Sequence, residues 1–236
     1  MRLDRVTVTG ADQWTDVSAM VELSKEFPFI EWGILFSAKH QGVSPRYPAE
    51  KWLQELRRTV EKTPLRLSAH LCGRWVRDLV IHGDFTFRYQ RRDLWPMFQR
   101  VQLNFHAEQH EPHEDFPKRL GEAGNQDFIF QMDGPNNPLW NAAKETIGAR
   151  AVPLFDRSGG AGELPDQWPK AFENVYCGYA GGLGPDNLTS QLGLIEPAAG
   201  KERVWIDMET RVRTDEKFDF AKVRRAVEQA VAWIKD

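Results

Sequence analysis

The sequence predicts an α/β chain closed into a (β/α)8 TIM barrel, and three observations carry that prediction. Eight short runs of strand character alternate with eight helical patterns. Alternation of this kind calls for a parallel sheet with crossover helices. Eight such units in 236 residues match one barrel, and no break in composition marks a second domain, so residues 1–236 read as a single unit. The runner-up is an open doubly wound sheet. That fold normally carries a glycine fingerprint after its first strand, and GADQWT, which opens at Gly10, is not GxGxxG.

The strands are expected at Arg5–Thr9, Ile30–Ser37, Leu65–His70, Arg100–Phe105, Asp127–Met132, Ala149–Phe155, Asn174–Gly178 and Arg203–Met208. Each is a short apolar or alternating run. The helices are expected to begin near Gln13, Pro48, Gly73, His113, Pro138, Pro165, Pro185 and Asp219. Several have clear starts. Pro48 leads into AEKWLQELRRTVEK, and Pro185-Asp-Asn leads into LTSQLGLIE. The last helix carries Phe220, Val223, Val227, Val231 and Ile234 at helical spacing. The stretch from Gly83 to Gln99 is long for a loop and predicts an extra short helix.

Composition narrows the partners. Hydrophobic residues make up 41% and charged residues 28%, which suits a globular protein with a substantial core. A net charge of −3 with no basic tail offers no field for nucleic acid. No run approaches the ~20 apolar residues of a membrane span, and MRLDRVTVTG lacks the apolar core of a signal peptide. Cys72 and Cys177 fit no zinc or redox spacing, so a reducing, cytoplasmic setting is expected. The nine tryptophans are scattered and read mostly as packing residues. The expected partner is a small-molecule substrate, with no cofactor, no nucleic acid and no membrane, on a monomer or homodimer.

Strand residues alternate between faces, and in a barrel one face meets the helices while the other lines the lumen. The apolar parity goes to the helices. The other parity then points inward: Thr7 and Thr9, Ser68 and His70, Gln102, Asn104 and His106, Gln131 and Asp133, Trp205, Asp207 and Glu209, with Asp156 following Val152 and Leu154. Each unpaired polar group in a dry lumen would cost roughly 1–3 kcal/mol, so these groups must bond to one another, to water or to a ligand. A hydrogen-bonded lumen without chemistry accounts for some of them. Their clustering at the C-terminal strand ends points to a site, because barrel active sites sit there.

Six segments in order resemble phosphoribosylanthranilate isomerase, a tryptophan-pathway barrel family. They are VTVTG (Val6–Gly10), SPRY (Ser44–Tyr47), VQLNFHAEQ (Val101–Gln109), LFDRSGGAG (Leu154–Gly162), YAGGLGPDN (Tyr179–Asn187) and IDMETRVR (Ile206–Arg213). AGGLGPDN is the most specific, and the others gain weight from order and spacing. The resemblance implies an Amadori rearrangement of an aminoaldose phosphate, in which one group opens a ribose ring and another takes the C2 proton. It places the acid at Asp156, where a carboxyl held partly out of water can protonate a ring oxygen. It places the base at Thr9, where the family has a cysteine. A thiol ionises near pH 8.5, whereas an aliphatic hydroxyl does not ionise usefully, so Thr9 does not reproduce the thiol's chemistry. Arg46 falls where the family grips a substrate carboxylate, and Asn104 replaces a family His. Gly181 and Gly182 fall on the phosphate loop, since glycine allows close approach and free N–H groups bind anions. Glu209 and Arg211 stand where the family has S-S-G.

The reading is therefore a divergent isomerase-like barrel acting by acid–base chemistry on a small polar, sugar-like or carboxylate compound, with or without phosphate. Asp156 works with another inward group among His70, Asp133, Asp207 and Glu209. Two alternatives stay open. His70, His106, Asp133, Asp207 and Glu209 could converge on a divalent ion in a lyase or aldolase, although no HxxxH or ExxH spacing supports it. A barrel that lost its base could also bind a small molecule without turnover.

Overall fold

The structure is a computed structural model that describes residues 1–105, 111–132, 134–156 and 162–235. Eight parallel strands form a closed barrel in chain order. They are β1 (Arg2–Thr9), β2 (Ile30–Ser37), β3 (Leu67–Cys72), β4 (Arg100–Asn104), β5 (Asp127–Gln131), β6 (Ala151–Phe155), β7 (Cys177–Tyr179) and β8 (Arg203–Met208). Each pairs with the next, and β8 closes on β1 with Thr7 opposite Asp207. Two further two-residue strands, β9 (Arg213–Thr214) and β10 (Lys217–Phe218), make a small antiparallel hairpin beyond β8.

The outer ring consists of α1 (Val17–Glu26), α2 (Glu50–Val60), α3 (Arg74–His82), α4 (Thr86–Gln90), α5 (Phe116–Glu122), α6 (Asn137–Ile147), α7 (Leu188–Ala199) and α8 (Phe220–Ala230). Local chemistry explains their ends. Asp16 caps α1 by accepting from the Ser18 N–H at 2.8 Å, and Asp219 caps α8 by accepting from Ala221 and Lys222. The additional helix expected between Gly83 and Gln99 is α4, followed by a 3-10 turn at Trp95–Met97. Its Phe87 packs edge-on against Phe36 and Trp75.

The helix expected near Pro165 does not form. Among the described residues the connection from β6 to β7 contains no helix. Pro165 and Pro169 stand four apart. A helix begun at the first would meet the second inside its body, where a missing N–H and a ring clash break it. Aromatic packing holds this connection instead. Phe172 stacks on Trp140 at 5.1 Å between ring centres, and Trp168 meets Tyr179 edge-on at 5.8 Å. The same irregular backbone delays β7, which begins at Cys177 rather than Asn174.

One face of the strands packs on the helices through residues such as Val6, Val8, Trp32, Phe36, Leu71, Val101 and Phe130. The lumen is filled differently. Ile129, Val152, Leu154, Ala180 and Trp205 form a separate apolar plug. Toward the N-terminal strand ends lies a buried charge cluster. Glu31 pairs with Arg5 at 2.7 Å and Arg100 at 2.8 Å, and accepts from Thr7 at 2.9 Å. The Arg100 guanidinium lies 4.3 Å from the Trp205 ring centre. Burial pushes the Glu31 carboxyl up, but Arg100 and Arg5 outweigh it and hold the group below its ordinary range.

Candidate active site

The inward parity carries through to the C-terminal strand ends, where the side chains open onto a cavity of about 310 Å³. Its wall takes Leu35 from β2, Cys72 from β3, Gln102 and Asn104 from β4, Gln131 from β5 and Asp207 from β8. The loops above add Arg46, Tyr47, Asp156, Gly181, Gly182, Glu209 and Arg211. The cavity therefore gathers ten of the residues singled out from the sequence: Arg46, Gln102, Asn104, Gln131, Asp156, Gly181, Gly182, Asp207, Glu209 and Arg211. Thr9 and His70 do not line it. Asp133 and His106 lie outside the described residues.

Asp207 is the centre of the arrangement. It is buried, and its Oδ1 accepts from the Thr9 hydroxyl at 2.8 Å. Burial pushes its carboxyl from 3.8 up to about 8. The Thr9 bond and Arg100 pull the other way, while Glu209 and Asp156 push it further up. Thr9 itself is buried, and its hydroxyl is engaged by the Asp207 carboxyl rather than lining the cavity. Gly33 makes room for this contact. A Cβ there would stand 2.2 Å from the Thr9 Oγ1 and 2.9 Å from the His70 Nε2. His70 is deeper still. Burial drives its imidazole down to about 3, which leaves it neutral in the lumen.

Around Asp207 the polar groups are mutually oriented. Gln131 Nε2 donates to Asp156 Oδ2 at 3.1 Å, and Gln102 Nε2 donates to Asn104 Oδ1 at 2.8 Å. Asn104 Nδ2 in turn donates to the Cys72 sulfur at 3.2 Å. Burial raises the Cys72 thiol despite this bond and one from Tyr47. Cys72 is a wall residue that the strand expectation ended too early to reach. The alternation Ser68, His70 extended by one step would have found it. Tyr47 follows directly on Arg46 in SPRY and carried no separate signal.

At the mouth, Arg46 pairs with Glu209 at 2.8 Å, and both are partly exposed. Burial raises the Glu209 carboxyl, Arg46 and Arg213 lower it, and Asp156 raises it. Gly181 and Gly182 turn the chain after β7 at φ 108° and 63°, values that favour glycine. Asn187 ties the following bend. Its Oδ1 accepts from the Gly184 N–H at 3.0 Å, and its Nδ2 donates to the Gly182 carbonyl at 2.8 Å. The N–H groups of Gly181 and Gly182 have no partner among the described residues. The same bend packs tightly on the β6–β7 connection, because a Cβ on Gly182 would lie 2.8 Å from the Leu164 nitrogen.

Among the described residues, no group of three or more His, Cys, Asp and Glu side chains is placed to hold a metal ion. No described helix is long and apolar enough to cross a membrane. No protein-family profile and no curated protein matches the sequence. The fold does have a solved counterpart: N-(5'-phosphoribosyl)anthranilate isomerase from Pyrococcus furiosus. It is 13% identical, with a TM-score of 0.53 over 96% of this chain and 98% of that one. At that identity the likeness establishes the architecture: this chain is built as the same eight-stranded barrel.

Proposed function

We propose that the cavity is an active site that shifts a proton within a small polar substrate bearing an anionic group. The observation that carries this reading is the environment of Asp207. A carboxyl that titrates near 8 keeps its proton at neutral pH, and it sits on a cavity shared with a second carboxyl, Asp156. Environments that differ between neighbouring carboxyls are how one site obtains both an acid and a base.

In this scheme Asp207 gives its proton to a substrate oxygen while Asp156, oriented by Gln131, takes a proton from the adjacent carbon. The electron pair of that C–H bond forms the new C=C bond, and the oxygen is left as an enol. Return of a proton to the former carbonyl carbon, and loss of one from the hydroxyl on the carbon that gave up its hydrogen, moves the carbonyl one carbon along and completes an isomerisation with no net change in atoms. The resemblance places the acid at Asp156. Here the burial of Asp207, one of the inward groups expected to work with Asp156, supplies the stored proton, and Asp156 acts as the base. Thr9 is a positioning residue that holds Asp207 by its hydroxyl. The N–H groups of Gly181 and Gly182, with Arg211 beside them, offer donors to a phosphate or carboxylate. A second anionic group on the substrate would engage Arg46 by displacing Glu209.

The test is proton exchange in D2O. The protein is incubated with phosphorylated aldoses and aminoaldoses, and deuterium at the carbon next to the carbonyl is followed by NMR. The natural chain should catalyse exchange in at least one member of the set. Asp207→Asn and Asp156→Asn should each reduce it by about 10²–10⁴-fold. Exchange untouched by both substitutions would remove the pair from the chemistry.

A further inference from the structure

The lumen holds two polar side-chain atoms from β3 that no contact described so far accounts for. The His70 Nε2 and the Ser68 Oγ are both buried, and neither has a hydrogen-bond partner among the described residues. Leaving such atoms unbonded is costly, so each marks a place where something else bonds. Both adjoin Gly33 of β2, which pairs in register with Thr9 on one side and with Ser68 on the other. One point above the Gly33 backbone, where a Cβ would stand, lies 2.2 Å from the Thr9 Oγ1 and 2.9 Å from the His70 Nε2. At most about 5 Å therefore separates the hydroxyl from the ring nitrogen, a gap that one bridging water spans.

The donor and acceptor inventory fits such a bridge. The single proton of the Thr9 hydroxyl goes to the Asp207 Oδ1 at 2.8 Å, which leaves the Thr9 oxygen able to accept. Burial holds the His70 imidazole neutral, so one of its two nitrogens carries a proton and the other does not.

We infer that a bound water lies over Gly33 and completes a chain of donors from His70 to Asp207. The His70 Nε2–H donates to the water, the water donates to the Thr9 Oγ1, and the Thr9 hydroxyl donates to the carboxyl. The Ser68 hydroxyl offers the water a third contact, and buried waters typically make about three. No proton moves along this chain. Its donors all point toward Asp207, so they strengthen the Thr9 bond and stabilise the carboxylate left when Asp207 has given up its proton. His70 is thus a positioning residue that acts through Thr9, and Gly33 keeps the water's place open. The use of the chain in turnover rests on the proposed acid role of Asp207, whereas the chain itself does not.

The experiment uses the full chain with 15N-labelled histidine and 13C-labelled aspartate. In the natural chain the ring-nitrogen shifts should show His70 with its proton on Nε2. Carboxyl shifts report the titration of Asp207. His70→Leu keeps the bulk and removes the donor, and should raise that titration by about 0.5–1 pH unit, the worth of a neutral hydrogen bond. His70→Gln, whose amide can donate from a similar reach, should restore most of the natural value. Thr9→Val/His70→Leu should titrate as Thr9→Val does alone, because His70 acts only through Thr9. Glu31 and Arg100 face His70, and Glu209, Arg100 and Asp156 face Asp207; all of them are retained in every variant. A bare Nε2, an unmoved Asp207 titration in His70→Leu, or shifts that add in the double variant would overturn the chain. Should His70→Leu fail to fold, the proton position on the natural His70 decides alone. An unmoved titration in His70→Leu, with deuterium exchange into the phosphorylated aldoses lost in Asp207→Asn, overturns the chain and leaves the proposed acid standing. A moved titration with exchange indifferent to Asp207→Asn leaves the chain standing and removes it from catalysis.

Discussion

Replacing Asp207 by Asn should abolish a loss of stability that the natural chain undergoes just above neutral pH. The Asp207 carboxyl titrates at about 8 in the folded chain against an ordinary 3.8. A group raised in this way binds its proton more tightly in the folded state. Stability therefore falls as pH rises from the ordinary value toward about 8, and then levels. His70 acts in the opposite sense at lower pH. Burial takes it from 6.5 to about 3, so the unfolded chain binds the proton more tightly in between, and stability rises with pH up to 6.5. The two oppose each other below 6.5. Above it, of the two, only Asp207 still acts. The remaining span is about 1.5 pH units, which at 1.36 kcal/mol per unit amounts to about 2 kcal/mol. Urea unfolding of both proteins at about pH 6.5, 7.5 and 8.5 measures it, with the m-value checked for constancy. The natural chain should lose about 2 kcal/mol across that range, and Asp207→Asn should lose much less. The thiols of Cys72 and Cys177, both raised by burial, contribute alike to the two proteins and cancel in the difference. Parallel pH dependences would refute the assignment of the stored proton to Asp207.

Three further perturbations follow from the same contacts. Thr9→Val removes the 2.8 Å donor to Asp207. The Asp207 carboxyl should then titrate higher by about one to two pH units, the worth of a hydrogen bond to a charged group, as read from carboxyl carbon shifts in NMR. Glu31→Gln leaves Arg5 and Arg100 buried without their counter-charge and should cost about 3–5 kcal/mol in denaturant unfolding. A loss under 1 kcal/mol would mean the cluster rearranges freely. Gly33→Ala places a methyl against the Thr9 hydroxyl and the His70 ring, and should lower the melting temperature by an amount worth about 1–3 kcal/mol. An unchanged melting temperature would contradict the packing described at β2.

Most of the architecture was legible because it depends on local periodicity. Ile30–Ser37 and Arg203–Met208 form strands with the bounds their patterns predict. Parity along those strands also brought Asn104, Asp156, Asp207 and Glu209 to one cavity, since alternation is a property of the backbone and survives whatever fills the lumen. The failures come from interactions that no local window contains. The Arg46–Glu209 pair joins residues 163 positions apart, and the sequence placed each at the site without showing that they pair. The Glu31, Arg5 and Arg100 cluster was not foreseen, because burial of a charge becomes tolerable only once its partners arrive from other strands. Thr9 shows the same limit. Its position was legible, and its partner was not, because the hydroxyl turns to a carboxylate from the far end of the chain. The absent helix after Pro165 had a readable cause in Pro169, which outweighs the favourable start that Pro165 offers.

The bond between Thr9 and Asp207 has a consequence for how the protein is made. It joins the first barrel strand to the last, and Arg213 reinforces the same seam by pairing with Asp12 at 2.9 Å. During synthesis Thr9 leaves the ribosome nearly two hundred residues before its partner. Until β8 is made, β1 lacks the partner strand that closes the ring. A polypeptide released before its eighth strand would carry Asp156 and the Gly181–Gly182 bend but lack Asp207 and Glu209, so it could not assemble the cavity at the strand ends.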